Sequence, residues 1–200
     1  MKKQLIGFIL MSLLISPLSA HAVTPLETIR ADINKVLEVL RDPSLKGESG
    51  KNTKKAKIRS LAREMFDFTE LSRRTLAQNW KKLNAGQQKE FTDLYASLLE
   101  ETYANRIVSY TNEKVLYGKE KNLTENTVEV QTTIVTTQKT DIPINYRVIR
   151  KDYEWKVYDV VIEGVSLINN YRTQFKEILA NKPPETLIDI LRKKVEGKGE

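Results

Sequence analysis

The residues best suited to chemistry lie in the stretch YDVVIEGVSLINNYRTQF, Tyr158 to Phe175. It sets Asp159, Glu163 and Ser166 around Gly164, where an apolar run changes into a helical pattern. A nucleophilic serine needs a base, most often histidine. The chain has one histidine, His21, and no cysteine. Ser166 also lacks the G-x-S-x-G elbow. A Ser–Lys pair is conceivable, but no lysine is marked for it. The residue types suit a structural corner better. Gly164 lets the chain turn sharply out of a strand, and Ser166 can accept a hydrogen bond from a free backbone N–H of the helix that follows. Asp159 and Glu163, read along one strand, point to the same side about 13 Å apart at about 3.3 Å per residue. That is too far for a glycosidase carboxylate pair.

Other motifs weaken in the same way. KGESGKNT, with Gly47, Gly50 and Lys51, invites a phosphate-loop reading. That loop needs four residues between its glycines, Ser or Thr directly after the lysine, and a strand before it. Here two residues intervene, Asn52 follows Lys51, and a helical pattern precedes. The dense acidic spacing of a calcium loop is missing, and without His or Cys beyond residue 21 a zinc site built on thiolate or imidazole cannot form. We therefore expect no metal and no cofactor. Lys51, Lys54, Lys55, Lys57 and Arg59 form a basic cluster, read first as a solvated helix face and second as a contact for a partner or a headgroup.

The chain around these residues begins MKKQLIGFILMSLLISPLSAHA. Two lysines, an apolar segment and an A-x-A site make a secretory signal, too short for a membrane span of about 20 apolar residues. We expect cleavage after Ala22, which removes His21 and lowers the net charge from +7 to +5 as Lys2 and Lys3 leave. Export without disulfides points to a bacterial periplasm. Residues 23–200 then form a single domain, large enough to bury roughly 70% of its unfolded surface. The moderate positive charge is mostly a matter of solubility, and export argues against nucleic acid as a partner.

Helical patterns come first, strands next and helices last, an α+β order. Thr24 caps a helix to Leu40, with Pro25 at its first position. SLKGESGKNT reads as a polar loop, Thr53 to Phe66 as a helix, and DFTELSRRTLAQNW as another, capped by Asp67 or Thr69. Asn84 and Gln87 have capping-box spacing at the head of the longest helix. Its apolar stripe runs from Phe91 through Tyr95, Leu98, Leu99 and Tyr103 to Tyr110. EKVLYGK reads as a short strand. NTVEVQTTIVTTQ and DIPINYRVIRK alternate with period two, and EWKVYDVVIEG is the fourth strand. These predict a twisted four-stranded antiparallel sheet, one face apolar and covered by helices. Ser166 caps the next helix, and Pro183-Pro184 separates it from the last. An ordinary filled core accounts for so much apolar surface; a container is the alternative.

Two stretches carry a family resemblance. Met65 to Tyr103, with Phe66-Asp67-Phe68, Trp80, Gln87, Phe91, Leu98-Leu99 and Tyr103, resembles the signature region of the MlaC family, and Trp155 to Phe175 is its second marker. Where that family often has Leu-Gly before the tryptophan segment, this chain has Leu76-Ala77, and alanine is expected to keep the packing. The resemblance implies an NTF2-like cone with an internal apolar pocket. It implies a periplasmic phospholipid carrier and no enzyme. Its partners would be an outer-membrane lipoprotein–porin complex and the inner-membrane lipid-binding subunit of an ABC transporter, and its role the maintenance of outer-membrane lipid asymmetry. The rival reading is a protein-interaction module with a filled interior.

Hydrophobic energetics suits a carrier. Each buried CH₂ is worth about 0.8 kcal/mol, so an acyl chain of roughly 15 such groups resists water by about 12 kcal/mol. A matching apolar pocket removes that obstacle without any reaction. The expected acyl-chain wall is Met65, Phe66, Trp80, Tyr95, Leu98, Leu99, Tyr103, Ile134, Ile144, Tyr146, Val148, Val160, Ile162, Val165 and Leu167.

Overall fold

The computed structural model describes residues 23–110, 113–136 and 140–197. The expected export signal lies outside the described residues, as does Lys139 in the link between the second and third strands.

Helix α1, Pro25–Arg41, starts with a complete capping box: Thr24 Oγ1 accepts from the Glu27 N–H, and the Glu27 carboxylate accepts from the Thr24 N–H. Its apolar face carries Ile29, Ile33 and Leu40 into the interior. A 3₁₀ turn, Pro43–Leu45, leads to α2, Gly47–Met65. The stretch read as a polar loop is therefore largely helix. Its glycines conceal this, because Gly50 packs so close to Leu45 that a Cβ would collide with the Leu45 backbone. Gly50 serves a tight junction, not a phosphate.

Asp67 caps α3, Phe68–Leu76, by accepting from the Glu70 N–H at 2.9 Å. The helix expected to continue through Trp80 ends at Leu76, and Ala77–Lys82 is 3₁₀. Ala77 has φ 50° and ψ −118°, a region that only glycine enters without strain. The departure from Leu-Gly thus falls where a Cβ is costly, and alanine's helix propensity is irrelevant there. Ala77→Gly is expected to raise the unfolding free energy by about 1 kcal/mol, the released strain less the extra freedom of glycine when unfolded. The check is a higher urea midpoint at an unchanged slope; an unchanged or lower midpoint contradicts it.

Helix α4, Ala85–Ser109, opens on the Asn84–Gln87 capping box. At 25 residues it is about 37 Å long. The sheet follows: β1 Lys114–Thr124, β2 Thr127–Val135, β3 Asp141–Lys151, β4 Glu154–Ile162 and β5 Val165–Ser166, antiparallel and in sequential order. It has five strands, not four, and β1 is longer than its apolar part suggested. The fifth exists because Glu163 (φ 49°) and Gly164 (φ 84°) both take positive φ. Two such central residues make a tight hairpin turn, which folds Val165 and Ser166 back along β4 before α5, Leu167–Asn181, begins. Helix α6, Pro184–Val195, ends the described fold.

Two apolar clusters result. One is a helical core from α3 to α6, centred on Phe91, Tyr95, Tyr171 and Phe175, whose neighbouring ring centroids lie 5.2–5.8 Å apart. The other joins α1, Met65 and Leu167 to sheet residues Val128, Val130, Val148, Val157 and Val160. A bulge opposite Arg147 and Val148 leaves Tyr158 without a strand partner. It lets Val157 and Val160, three apart, both join the sheet cluster, while Tyr158 and Ile149 pack with the helical core. Helices therefore meet β4 through both clusters, and Phe66 and Tyr103 touch each.

Candidate functional site

The sheet cluster does not close. A cavity of about 350 Å³ lies between the sheet and helices α1, α2 and α4, within the range of about 300–1,000 Å³ usual for small-molecule pockets. The sheet supplies a regular wall. Thr132, Ile144 and Ile162 sit opposite one another across β2, β3 and β4; Tyr146 pairs with Val160, and Ile134 with Ile142. Period-two alternation puts all of them on one face, and all line the cavity. The helices close the other side through Ile33, Val36, Leu37 and Leu40 of α1, Ile58, Ala62 and Met65 of α2, and Leu99, Tyr103, Ala104 and Ile107 of α4, with Tyr110 just past its end.

The wall is uncharged over most of its area. Thr132 satisfies its hydroxyl by donating to the Ile144 carbonyl at 2.5 Å. Burial pushes the Tyr146 phenol above its ordinary range, and nearby Tyr117 adds to the push. Burial also raises Tyr103, reinforced by Tyr171 and opposed by Arg106. These phenols stay neutral at physiological pH and behave as apolar lining with a polar tip. Charged side chains occur at Arg59, Glu100, Arg106, Glu113 and Glu163. The Glu100 carboxylate lies 2.8 Å from Arg63.

The sequence-predicted residues divide by position. Met65, Phe66, Leu99, Tyr103, Ile134, Ile144, Tyr146, Val160, Ile162 and Leu167 line the cavity; Trp80, Tyr95, Leu98, Val148 and Val165 do not. Tyr95 and Leu98 belong to the helical core and Val148 to the sheet cluster, where it is fully buried. Trp80 packs on the helical core from the 3₁₀ segment. Val165 is 57% exposed on β5. Along α4 the apolar stripe crosses from one environment to the other: Phe91, Tyr95 and Leu98 fill the helical core, while Tyr103, Ala104, Ile107 and Tyr110 face the cavity. The α1 wall was missed as a site, although the Ile33, Val36, Leu37, Leu40 stripe that marks it is plain in the sequence.

The opening corner is structural. Ser166 Oγ accepts from the Asn169 N–H at 3.1 Å and donates to Asp159 Oδ2 at 2.6 Å. Asp159, 1% exposed, also accepts from the Ile168 N–H at 3.1 Å and from Arg147 at 3.1 Å. Arg147 bridges on to Glu129 at 3.0 Å. Glu163 stands apart from this network, in the turn beyond β4. The basic cluster of α2 is mostly engaged within the chain. Lys51 pairs with Glu48, Lys57 with Asp42, and Lys54 donates to the Leu40 carbonyl. Among the described residues no group of His, Asp or Glu is placed to hold a metal, and no helix is long and apolar enough to cross a membrane.

A family profile described as MlaC protein matches residues 30–193. The chain is similar to the intermembrane phospholipid transport system binding protein MlaC of Haemophilus influenzae, with 23% identity over 189 residues, 92% of this chain and 88% of the relative. Its fold is similar to that of a phospholipid-binding protein from Ralstonia solanacearum solved in complex with a phospholipid. That likeness has a TM-score of 0.75 at 24% identity, over 86% of this chain and 96% of the other.

Proposed function

The chain belongs to the MlaC family, and from that premise and its cavity we propose that it is a periplasmic phospholipid carrier. In this reading residues 1–22 direct export and are removed, and residues 23–200 form one lipid-binding domain. The sheet and helices act as an NTF2-like cone that takes acyl chains between them and leaves the headgroup in water. The carrier moves phospholipid between outer and inner membranes and so maintains outer-membrane lipid asymmetry. It meets an outer-membrane lipoprotein–porin complex at one end of the route and the lipid-binding subunit of an inner-membrane ABC transporter at the other. It does no chemistry on its cargo.

The observation that carries the reading is the apolar cavity itself, walled by Ile134, Ile144, Tyr146, Val160 and Ile162 from the sheet and by Leu37, Met65 and Tyr103 from the helices. A filled interior would argue for the interaction module instead. The phospholipid named for the relative and for the structural neighbour fits a cavity of this lining. Native mass spectrometry of protein purified from the periplasm tests it. The expected spectrum shows one phospholipid per chain, released on denaturation. Bare chain together with a phospholipid-free organic extract overturns the proposal.

A further inference from the structure

The geometry points to a phosphate seat at the cavity, formed by Arg59 and Arg106, that holds the phosphodiester of the bound lipid. This rests on the carrier reading and changes one part of it: the phosphodiester is held by protein, and only the rest of the headgroup stays in water. Both arginines line the cavity, Arg59 from α2 and Arg106 from α4. Arg59 is under-satisfied. Its Nε is buried and has no hydrogen-bond partner. Its terminal nitrogen comes only to 3.7 Å from Glu101, whose side chain is 55% exposed. A buried guanidinium N–H without a partner is rare enough to need a reason. An absent acceptor is the simplest one, and a guanidinium offers paired donors that match phosphate oxygens.

Arg106 supplies the second cation. It is exposed and forms no side-chain hydrogen bond or ion pair among the described residues. It lines the cavity about one helical turn along α4 from Tyr103, itself a lining residue. The rest of the local charge is accounted for differently. Glu100 is ion-paired with Arg63, although its Oε1 is buried without a hydrogen-bond partner. Lys51, Lys54 and Lys57, which share α2 with Arg59, are committed to Glu48, Leu40 and Asp42. Arg59 is the member of the basic cluster that lines the cavity, and its Nε is an unused donor. Glu163 lines the cavity from the β4–β5 turn and Glu100 from α4; Arg63 pairs with Glu100, and the cations of the lining are Arg59 and Arg106.

The test compares lipids that share acyl chains. Binding of phosphatidylethanolamine, phosphatidylglycerol and the matching diacylglycerol is measured by native mass spectrometry and by displacement of a fluorescent fatty-acyl probe. Wild type is expected to hold both phospholipids at least about tenfold more tightly than diacylglycerol, the scale of hydrogen bonds to a charged group. Arg59→Gln with Arg106→Gln is expected to remove that preference while leaving diacylglycerol affinity unchanged. The diacylglycerol arm also guards against misfolding, since a collapsed variant loses all three ligands; each single substitution then decides the matter. Equal binding of diacylglycerol and phospholipid by wild type overturns the seat and leaves the carrier intact. Failure of wild type to bind any of them overturns the carrier. Glycerophosphoethanolamine, which has no acyl chains, is expected to bind at least a hundredfold more weakly than the lipid. If it binds as tightly, the arginines form a free-phosphate site and the lipid assignment fails.

Discussion

Replacing Asp159 with alanine is expected to lower the unfolding free energy by about 3–5 kcal/mol, the usual cost of breaking a buried, hydrogen-bonded charge network. Against a typical total of about 5–15 kcal/mol that is a large fraction. The carboxylate ties three elements together. It takes the Arg147 guanidinium across the β3–β4 pair, the Ser166 hydroxyl from β5, and the Ile168 N–H in the first turn of α5. Alanine strands two buried donors and leaves Arg147 with Glu129 alone. Leu167, between Ser166 and Ile168, lines the cavity, so the network fixes the sheet's exit and one patch of cavity wall together. Asp159→Asn keeps an acceptor for the Ile168 N–H but loses the charge that Arg147 meets, and an intermediate loss is expected. Urea unfolding at neutral pH measures both. A loss under about 1 kcal/mol for alanine contradicts a structural role for the network.

The same corner shows what could be read ahead of the structure. Serine before a helical pattern and glycine after a strand are local signals, and the cap at Ser166 and the turn at Gly164 follow from them. Glu163 taking positive φ beside Gly164 is not a local preference of glutamate, so the returning β5 was invisible. Period-two alternation placed Ile134, Ile144 and Tyr146 on one face because a strand permits no other arrangement. It did not reveal the bulge at Tyr158, which arises from how β4 pairs with β3. The helical stripe of α4 was equally plain, yet Tyr95 and Tyr103, both on that stripe, meet different surroundings. Periodicity fixes a face and is silent on depth along the axis. Gly50 and Ala77 show a third limit: one answers to the approach of Leu45, the other to the break between α3 and the 3₁₀ segment, and neither neighbour is written in the local pattern.

That limit on depth also supplies the sharpest test of the cavity. Ile144→Asp and Val148→Asp alter two residues of one strand, on the same face and four apart. Ile144 lines the cavity opposite Thr132 and Ile162. Val148 is fully buried among Val128, Val157 and their neighbours, outside it. A carboxylate at residue 148 has no solvent and no partner, and burying it costs more than a domain of this size can absorb; loss of the folded protein is expected. A carboxylate at residue 144 projects into space that water can enter once no lipid is present, so the chain is expected to fold, with a cooperative urea transition. Acyl chains cannot then fill the same space without desolvating the charge. Phospholipid recovered per chain is expected to fall at least about tenfold, since even a few kcal/mol of desolvation exceeds the roughly 1.4 kcal/mol that a factor of ten requires. A folded Ile144→Asp protein carrying lipid at the wild-type ratio would place the acyl chains elsewhere. Val148→Asp folding as well as Ile144→Asp would mean that the two residues do not differ in the way their burial indicates.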